Sequence, residues 1–252
     1  MAVAVVTGAS SGIGAAYSRH LARSGHDLIL AARGAEGLAA MADELATTHG
    51  VDVRQVPVDL ASPDGVAELI ERSRGAEVVV ANAGATIAGR TGTVPWDELG
   101  RLSYLLGPGV AQLCDGLVPG MVERGSGRVA IVASIGALVP MPKSAVYAAA
   151  KAYAVSYARS LNAEVEAGGV RVCAVCPGYV RTPLHQRAGL DHLTDRLPGW
   201  LWIEPEQVVT AAESGLDRGR DVVVPGAVYR AARPFLQSSL AAATWRRMTA
   251  RR

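Results

Sequence analysis

Short, unbroken apolar runs alternate along this chain with longer segments whose apolar residues recur every three or four positions. The runs are Val3–Thr7, Asp27–Ala32, Val51–Pro57, Glu77–Ala81, Arg128–Ala133, Val170–Cys176 and Asp221–Val224. Between them lie helical candidates at about Ile13–Ser24, Leu38–His49, Pro63–Ser73, Trp96–Glu123, Val146–Glu166 and Pro205–Asp217. A strand that is apolar on successive residues must be buried on both faces, which a parallel sheet covered by helices achieves. The pattern therefore predicts an α/β fold: a doubly wound, seven-stranded parallel sheet with helices on both faces. Inside the longest helical candidate stands Gly107-Pro108-Gly109, a run that should weaken or kink it. Residues 179–203 have no clear period, and a long irregular stretch after a strand is where such folds keep their ligand-facing loops.

Size and composition change this picture little. With 252 residues and 50% hydrophobic content, the chain can close one core, and no linker, repeat or long charge run divides it. Residues 1–225 read as a single domain, and 226–252 as a basic helical extension of it. A net charge of +2 gives no reason to expect a nucleic-acid partner. The charge is uneven, however: from Pro225 onward there are Arg230, Arg233, Arg246, Arg247, Arg251 and Arg252, with no Asp or Glu. A solvated helix face with a frayed tail is the plain reading; contact with a membrane surface or an acidic partner is the alternative. The N-terminus lacks the basic leader and cleavage site of a signal peptide, and no stretch approaches the ~18 uninterrupted apolar residues of a membrane span. The expected compartment is cytoplasmic, without a membrane partner. Three Cys do not suggest a disulfide framework. Cys173 and Cys176 have CxxC spacing, but three positions apart on a strand they face opposite sides, so they read as small core residues and no metal site is expected.

The first apolar run ends in Thr7-Gly8-Ala9-Ser10-Ser11-Gly12-Ile13-Gly14 and passes straight into a helical segment. Glycines let a backbone turn sharply and approach a pyrophosphate, while the helix N-terminus presents free N–H groups to the anion. The spacing Gly8, Gly12, Gly14 resembles the TGxxxGxG variant found in the short-chain dehydrogenase/reductase family. The resemblance extends from Val3 to Val224, nearly the whole chain. Asp59-Leu60 is similar to the family's acidic pair on the adenine side, and Asn82-Ala83-Gly84 to its NAG motif, which supports the sheet beside the cofactor. Ser134 follows, then Tyr147 with Lys151 four residues later, then Pro177-Gly178-Tyr179-Val180-Arg181-Thr182. The resemblance implies a Rossmann-type domain in which Gly8, Ser10, Ser11, Gly12, Ile13, Gly14, Asp59, Leu60, Asn82, Ala83, Gly84, Pro177, Gly178, Val180 and Thr182 contact a nicotinamide dinucleotide.

The end of the second apolar run bears on which dinucleotide that is. An Asp or Glu there would accept the ribose hydroxyls of NAD and repel a 2′-phosphate. This chain has Ala32 followed by Arg33, and a guanidinium offers a bidentate fork to phosphate. Ser10 adds a hydroxyl donor from the glycine loop. The expected cofactor is NADP(H), the alternative being that Arg33 is one more solvated arginine.

Tyr147 and Lys151 lie one turn apart on one helical face. Free tyrosine, with a pKa of about 10, is a poor proton donor or acceptor at neutral pH, and a nearby ammonium lowers that value. The chain has only two lysines, Lys143 and Lys151. By the resemblance, Tyr147 exchanges a proton with the substrate oxygen, Lys151 also holds the nicotinamide ribose, and Ser134 hydrogen-bonds that oxygen. One part of the family pattern is missing. The position of an Asn that helps hold a proton-relay water falls at Leu106, which cannot bond water through its side chain. A kink at Gly107-Pro108-Gly109 could free a main-chain carbonyl for that water. On that account an Asn at this position should raise turnover or hardly change it.

The expected activity is interconversion of a carbonyl and an alcohol with NADP(H). Leu106 and the Gly107-Pro108-Gly109 run are the support for a non-redox biosynthetic enzyme (an isomerase, lyase or cyclase) on the same fold, and a cofactor-binding protein without turnover is a further alternative. Leu184, Leu190, Leu193, Leu197 and Leu201 lean towards a hydrophobic or bulky small-molecule substrate. Trp200 and Trp202 stand open between walling the pocket and anchoring the segment. His20, His26, His49, His185 and His192 have no metal spacing. The resemblance also implies a homodimer or homotetramer formed through the two long helices.

Overall fold

The computed structural model describes residues 2–187 and 197–236. All seven apolar runs become strands of one parallel sheet: β1 (Val3–Thr7), β2 (Asp27–Ala32), β3 (Val53–Pro57), β4 (Val78–Ala81), β5 (Gly127–Val132), β6 (Val170–Val175) and, late in the chain, β9 (Val222–Val223). Their spatial order is β3-β2-β1-β4-β5-β6-β9. Val3 is in register with Asp27 on one side, and Ala4 with Val78 on the other. The order reverses between β1 and β4, so the chain leaves those two strand ends in opposite directions and a crevice opens between them.

Six helices cover the sheet. Helices α1 (Gly12–Arg23) and α2 (Ala35–His49) pack together, with α8 (Pro205–Asp217) against α1. On the other side, α3 (Pro63–Arg72) packs on α5 (Pro108–Arg124), and α5 on α6 (Ala145–Val165). The core is the sheet itself: Val5, Val6, Ile29, Leu30, Val79, Val80, Ala130 and Ile131 are buried, as the continuous apolar runs require.

The long helical candidate Trp96–Glu123 proves to be two helices. Helix α4 (Trp96–Leu106) stops at Gly107, whose φ of −128° and ψ of −90° are not helical. Proline has no N–H, so Pro108 cannot bond the Tyr104 carbonyl one turn back. The last bond of α4 is that of the Gly107 N–H, shared between the carbonyls of Ser103 at 3.0 Å and Tyr104 at 3.4 Å. A side-chain bridge then fixes the elbow: the Tyr104 hydroxyl donates to Gln112 Oε1, and Gln112 Nε2 donates to the Pro63 carbonyl at 3.2 Å.

The described parts of residues 179–203 carry regular structure that their sequence does not predict. β7 (Tyr179–Val180) pairs in parallel with β8 (Trp202–Ile203), and a short helix α7 (Leu184–Arg187) follows β7. Two-residue strands are too short to leave a period in sequence. The basic extension begins as helix α9 (Ala227–Leu236); Arg246, Arg247, Arg251 and Arg252 lie outside the described residues.

At the N-terminal edge of the sheet, α1, β5 and α8 meet through charge. The fully buried Tyr17 donates its hydroxyl to Glu213 Oε1 at 2.5 Å. Arg128 donates to Glu213 Oε2 at 2.8 Å and to Asp217 at 2.9 Å. A hydrogen bond to a charged group contributes about 1.5–3 kcal/mol. The substitution Tyr17→Phe keeps the ring and removes that bond, and is expected to lower the urea unfolding free energy by about 2 kcal/mol. An unchanged midpoint would show that Arg128 alone satisfies Glu213.

Candidate active site

The crevice is built around one hydroxyl. Thr7 Oγ1 donates to the Val80 carbonyl at 3.2 Å and accepts the N–H groups of Asn82 and Ala83 at 2.8 and 2.9 Å. Asn82 Nδ2 returns to the carbonyls of Thr7, at 2.8 Å, and Gly8, at 3.4 Å. Gly8 has φ +65°, and a Cβ on it would meet Asn82 Nδ2 at 2.9 Å. The loop Gly8–Ser11 thus runs over the ends of β1 and β4 into α1. Ser11 caps that helix in an extended conformation without a side-chain bond to it, so the first-turn N–H groups of Gly12, Ile13 and Gly14 have no capping side chain there. A glycine loop, unfilled helix donors and a sheet crevice fit the pyrophosphate of a dinucleotide.

Beyond the end of β2, exposed Arg33 stands near enough to Asp59 to act on its charge. Ser10 lies over Gly37 in the first turn of α2, where a Cβ would meet Ser10 Cβ at 3.2 Å. The Asp59 carboxyl is held below its usual range, first by the Ala61 N–H at 3.0 Å and then by Arg101, with which it forms an ion pair, and by Arg33. Arg101, on α4, was not among the sequence candidates. Leu60, Ala83, Val110 and Leu113 line a small apolar cleft beside this end of the sheet.

Ser134, Tyr147 and Lys151 are brought together past the end of β5. Ser134 Oγ accepts the Gly136 N–H at 3.0 Å and is also hydrogen-bonded with Tyr147. Gly136 keeps the place clear: a Cβ there would meet Met141 Sδ at 2.5 Å, Ser134 Oγ at 3.3 Å and Tyr147 Cε1 at 3.5 Å. Burial raises the Tyr147 pKa, a hydrogen bond with Ser134 opposes this, and Cys176 adds to the rise. Lys151 is buried and donates to the Val132 carbonyl at 2.7 Å. Burial lowers its pKa to about 8, with Cys176 opposing. The spacing of Tyr147 and Lys151 predicts a tyrosine below its ordinary value. Here the phenol stands above it, because burial outweighs the other influences and the ammonium is bonded to Val132.

Leu106 is 1% exposed and packs with Leu102 and Ala150, with Ala85, Ile87 and Tyr147 against them. Gly84 lies against it, where a Cβ would meet Leu106 Cδ2 at 3.4 Å. Position 106, where the resemblance expects an Asn, is therefore part of an apolar cluster.

Pro177 and Thr182 border the same crevice. The Pro177 carbonyl accepts the Ile135 N–H at 2.9 Å, next to Ser134. A Cβ on Gly12 would meet Thr182 Cγ2 at 2.8 Å, so Thr182 touches the glycine loop. Val180 is buried beside it. Trp202 acts as an anchor, tilted against Tyr179 at 5.6 Å with Arg181 5.7 Å from its ring centre, whereas Trp200 is exposed. Leu190, Leu193 and His192 lie outside the described residues, as does the His185 side chain. Lys143 holds φ +65°, a conformation that costs a non-glycine residue about 1–3 kcal/mol. Its carbonyl accepts the Gly89 N–H at 2.8 Å, joining the loop after β4 to the loop before α6. Neither this nor the position of Cys176 beside the pair carries a sequence signal. Among the described residues no His, Cys, Asp and Glu cluster could hold a metal.

A doubly wound sheet with a glycine loop at its switch point defines a dinucleotide-binding α/β enzyme. The family model for short chain dehydrogenase matches residues 2–192. D-beta-hydroxybutyrate dehydrogenase of Rhizobium meliloti is 32% identical over 211 residues, covering 82% of this chain and 80% of that protein. 1-Deoxy-11-beta-hydroxypentalenate dehydrogenase of Streptomyces avermitilis is 37% identical over 190 residues, covering 72% and 69%. A short-chain dehydrogenase from Sphingobium yanoikuyae, solved in complex with NADPH, superposes with a TM-score of 0.85 at 32% identity, covering 99% of this chain and 96% of that one. The bulky-bulky ketone specific alcohol dehydrogenase from Comamonas testosteroni does so with a TM-score of 0.79 at 28% identity, covering 89% and 86%. This chain belongs to the short-chain dehydrogenase family and is one of its oxidoreductases.

Two outcomes follow from the burial of this site. An amide at position 106 would have no partner in the apolar cluster, and an unsatisfied buried polar group costs about 1–3 kcal/mol. Leu106→Asn is therefore expected to lower the urea midpoint whatever it does to turnover; an unchanged midpoint would mean that water reaches the cluster. The second outcome is a pH dependence. Folding drops the Lys151 pKa from about 10.4 in the unfolded chain to about 8. Between these values the folded protein binds fewer protons, so this lysine's penalty is full below pH 8 and disappears as pH rises towards about 10.4. The stability difference between wild type and Lys151→Met, measured by urea unfolding across that range, should shift in favour of wild type. A flat difference would show that the ammonium is not desolvated.

Proposed function

We propose that this protein is an NADP(H)-dependent oxidoreductase that interconverts a ketone or aldehyde with an alcohol, on a hydrophobic or bulky substrate. The observation that carries the reading is the meeting of Ser134, Tyr147 and Lys151 beside the glycine-loop crevice. Fold alone would not carry it, since similar folds host many chemistries. When bound, the nicotinamide supplies or accepts the hydride. The protein's own part is to fix the substrate oxygen and move a proton. Ser134, its oxygen occupied by the Gly136 N–H, donates its proton to that oxygen and orients it. In reduction Tyr147 donates the phenolic proton to the same oxygen; in oxidation it takes that proton back. The raised pKa of the phenol keeps it protonated and ready to donate. Lys151, one turn along α6, supplies the positive charge that favours the phenolate once the proton has left and holds the cofactor's ribose.

Arg33, at the end of β2, and Ser10, over the first turn of α2, favour a 2′-phosphate. NADPH in the Sphingobium structure agrees with that choice. The ketone specificity named for the Comamonas enzyme agrees with the substrate class. Leu106 remains the observation behind a non-redox enzyme, and the experiment separates the two. NADPH and NADH are titrated separately, following tryptophan quenching, and a panel of bulky ketones is then screened for cofactor oxidation. We expect NADPH to bind more tightly, Arg33→Ala to reduce that preference by about tenfold or more, and Tyr147→Phe to cut turnover by about 10²–10⁴-fold. Equal affinities would remove Arg33 from cofactor choice. Tight binding without redox change across the panel would favour the isomerase, lyase or cyclase reading.

A further inference from the structure

Tyr229, on the C-terminal helix α9, reaches the crevice from outside every motif of the site. It is 6% exposed. Its ring fills the space beside Gly178, where any Cβ would collide with the ring carbons, and Gly226, with φ +85°, lets the chain turn into α9 just before it. The hydroxyl accepts the Tyr179 N–H at 3.1 Å and donates to the Leu201 carbonyl at 2.5 Å. Tyr179 opens β7, and Leu201 stands immediately before β8. One phenol therefore joins the two stems of the segment between Tyr179 and Ile203.

Besides this bridge the stems meet through the tilted Tyr179 and Trp202 rings, 5.6 Å apart, with Arg181 5.7 Å from the Trp202 ring centre. β7 and β8 pair over two residues, Arg181 N–H donates to the Ile203 carbonyl at 3.0 Å, and Arg181 pairs with Glu204 at 3.0 Å across exposed side chains. Exposed pairs contribute little. The tyrosine hydroxyl, by contrast, bonds one backbone group on each stem from a buried position. The stems also border the reacting groups: Pro177 bonds the Ser134 turn through Ile135, and Thr182 touches Gly12.

We propose that Tyr229 is a positioning residue for the substrate: by bridging Tyr179 and Leu201 it holds both stems against Pro177-Gly178 and makes the C-terminal helix part of the substrate site. The proposal rests on the oxidoreductase reading above. Tyr229→Phe keeps the ring over Gly178 and removes only the bridge. Amide hydrogen exchange of the full-length protein is expected to become about tenfold faster at Tyr179 and in β8, the scale of one lost hydrogen bond, with β1 to β6 unchanged. The KM for a ketone found in the panel should rise about fivefold, with kcat within about twofold, since the proton-transfer group is untouched. Unchanged exchange at the stems with normal wild-type turnover overturns the latch alone. Faster exchange with an unchanged KM overturns the substrate role and leaves a merely structural bond. A wild-type protein that turns over no carbonyl overturns the oxidoreductase reading, and the substrate role with it.

Discussion

The hydroxyl of Thr7 is the point on which this structure turns. β1 and β4 are neighbours whose connections depart in opposite directions, so their backbones separate past Val6 and Val80 and can no longer satisfy each other. Thr7 Oγ1 takes over: it donates once, to Val80, and accepts twice, from Asn82 and Ala83. That uses its one proton and both lone pairs. Without it, two N–H groups at the edge of the core would stand unpaired, at about 1–3 kcal/mol each. The same bonds hold Asn82 so that its amide reaches back under Gly8. The glycine loop thus has a floor, and the crevice at the switch point keeps its shape.

From that floor the site extends along strand ends that are far apart in sequence. Burial acts on Tyr147 and Lys151 alike, yet in opposite directions, because tyrosine is charged without its proton and lysine with it. Desolvation at this site therefore moves both groups towards neutrality. An added positive charge would push the lysine further that way and draw the tyrosine back, while an added negative charge would do the reverse. The pair responds to what fills the crevice, and Cys176, acting on both, is part of that environment.

The sheet was legible because its inner strands are buried on both faces, which writes itself as an unbroken apolar run; the edge strand β3, with Arg54, Gln55 and Pro57 exposed, carries the weakest signal. The glycine loop and the Tyr147–Lys151 spacing were legible because a few adjacent residues carry the whole geometry. What escaped had partners far away in the chain. Tyr229 bonds Tyr179 and Arg101 bonds Asp59, and nothing near either residue marks the meeting. Gly107-Pro108-Gly109 read as a kink but ends one helix and begins another, since a missing N–H and a non-helical glycine coincide there. Gly178 was legible as part of a motif, but not for the reason the structure gives, which is room for the ring of Tyr229.

Leu106 and Lys151 are best understood together. A buried ammonium needs oxygen acceptors, and leaving it without them would be far more costly than the loss of one hydrogen bond. Leu102 and Leu106 of α4 pack with Ala150 of α6, the residue before Lys151, in an apolar cluster whose side chains carry no acceptor. The nearest rigid acceptor is the end of the sheet, and Lys151 takes the Val132 carbonyl at 2.7 Å. Val132 is two residues before Ser134, so the bond ties α6 to the strand that carries the serine. The ammonium is thus anchored by a main-chain carbonyl, which no side-chain substitution at Val132 removes.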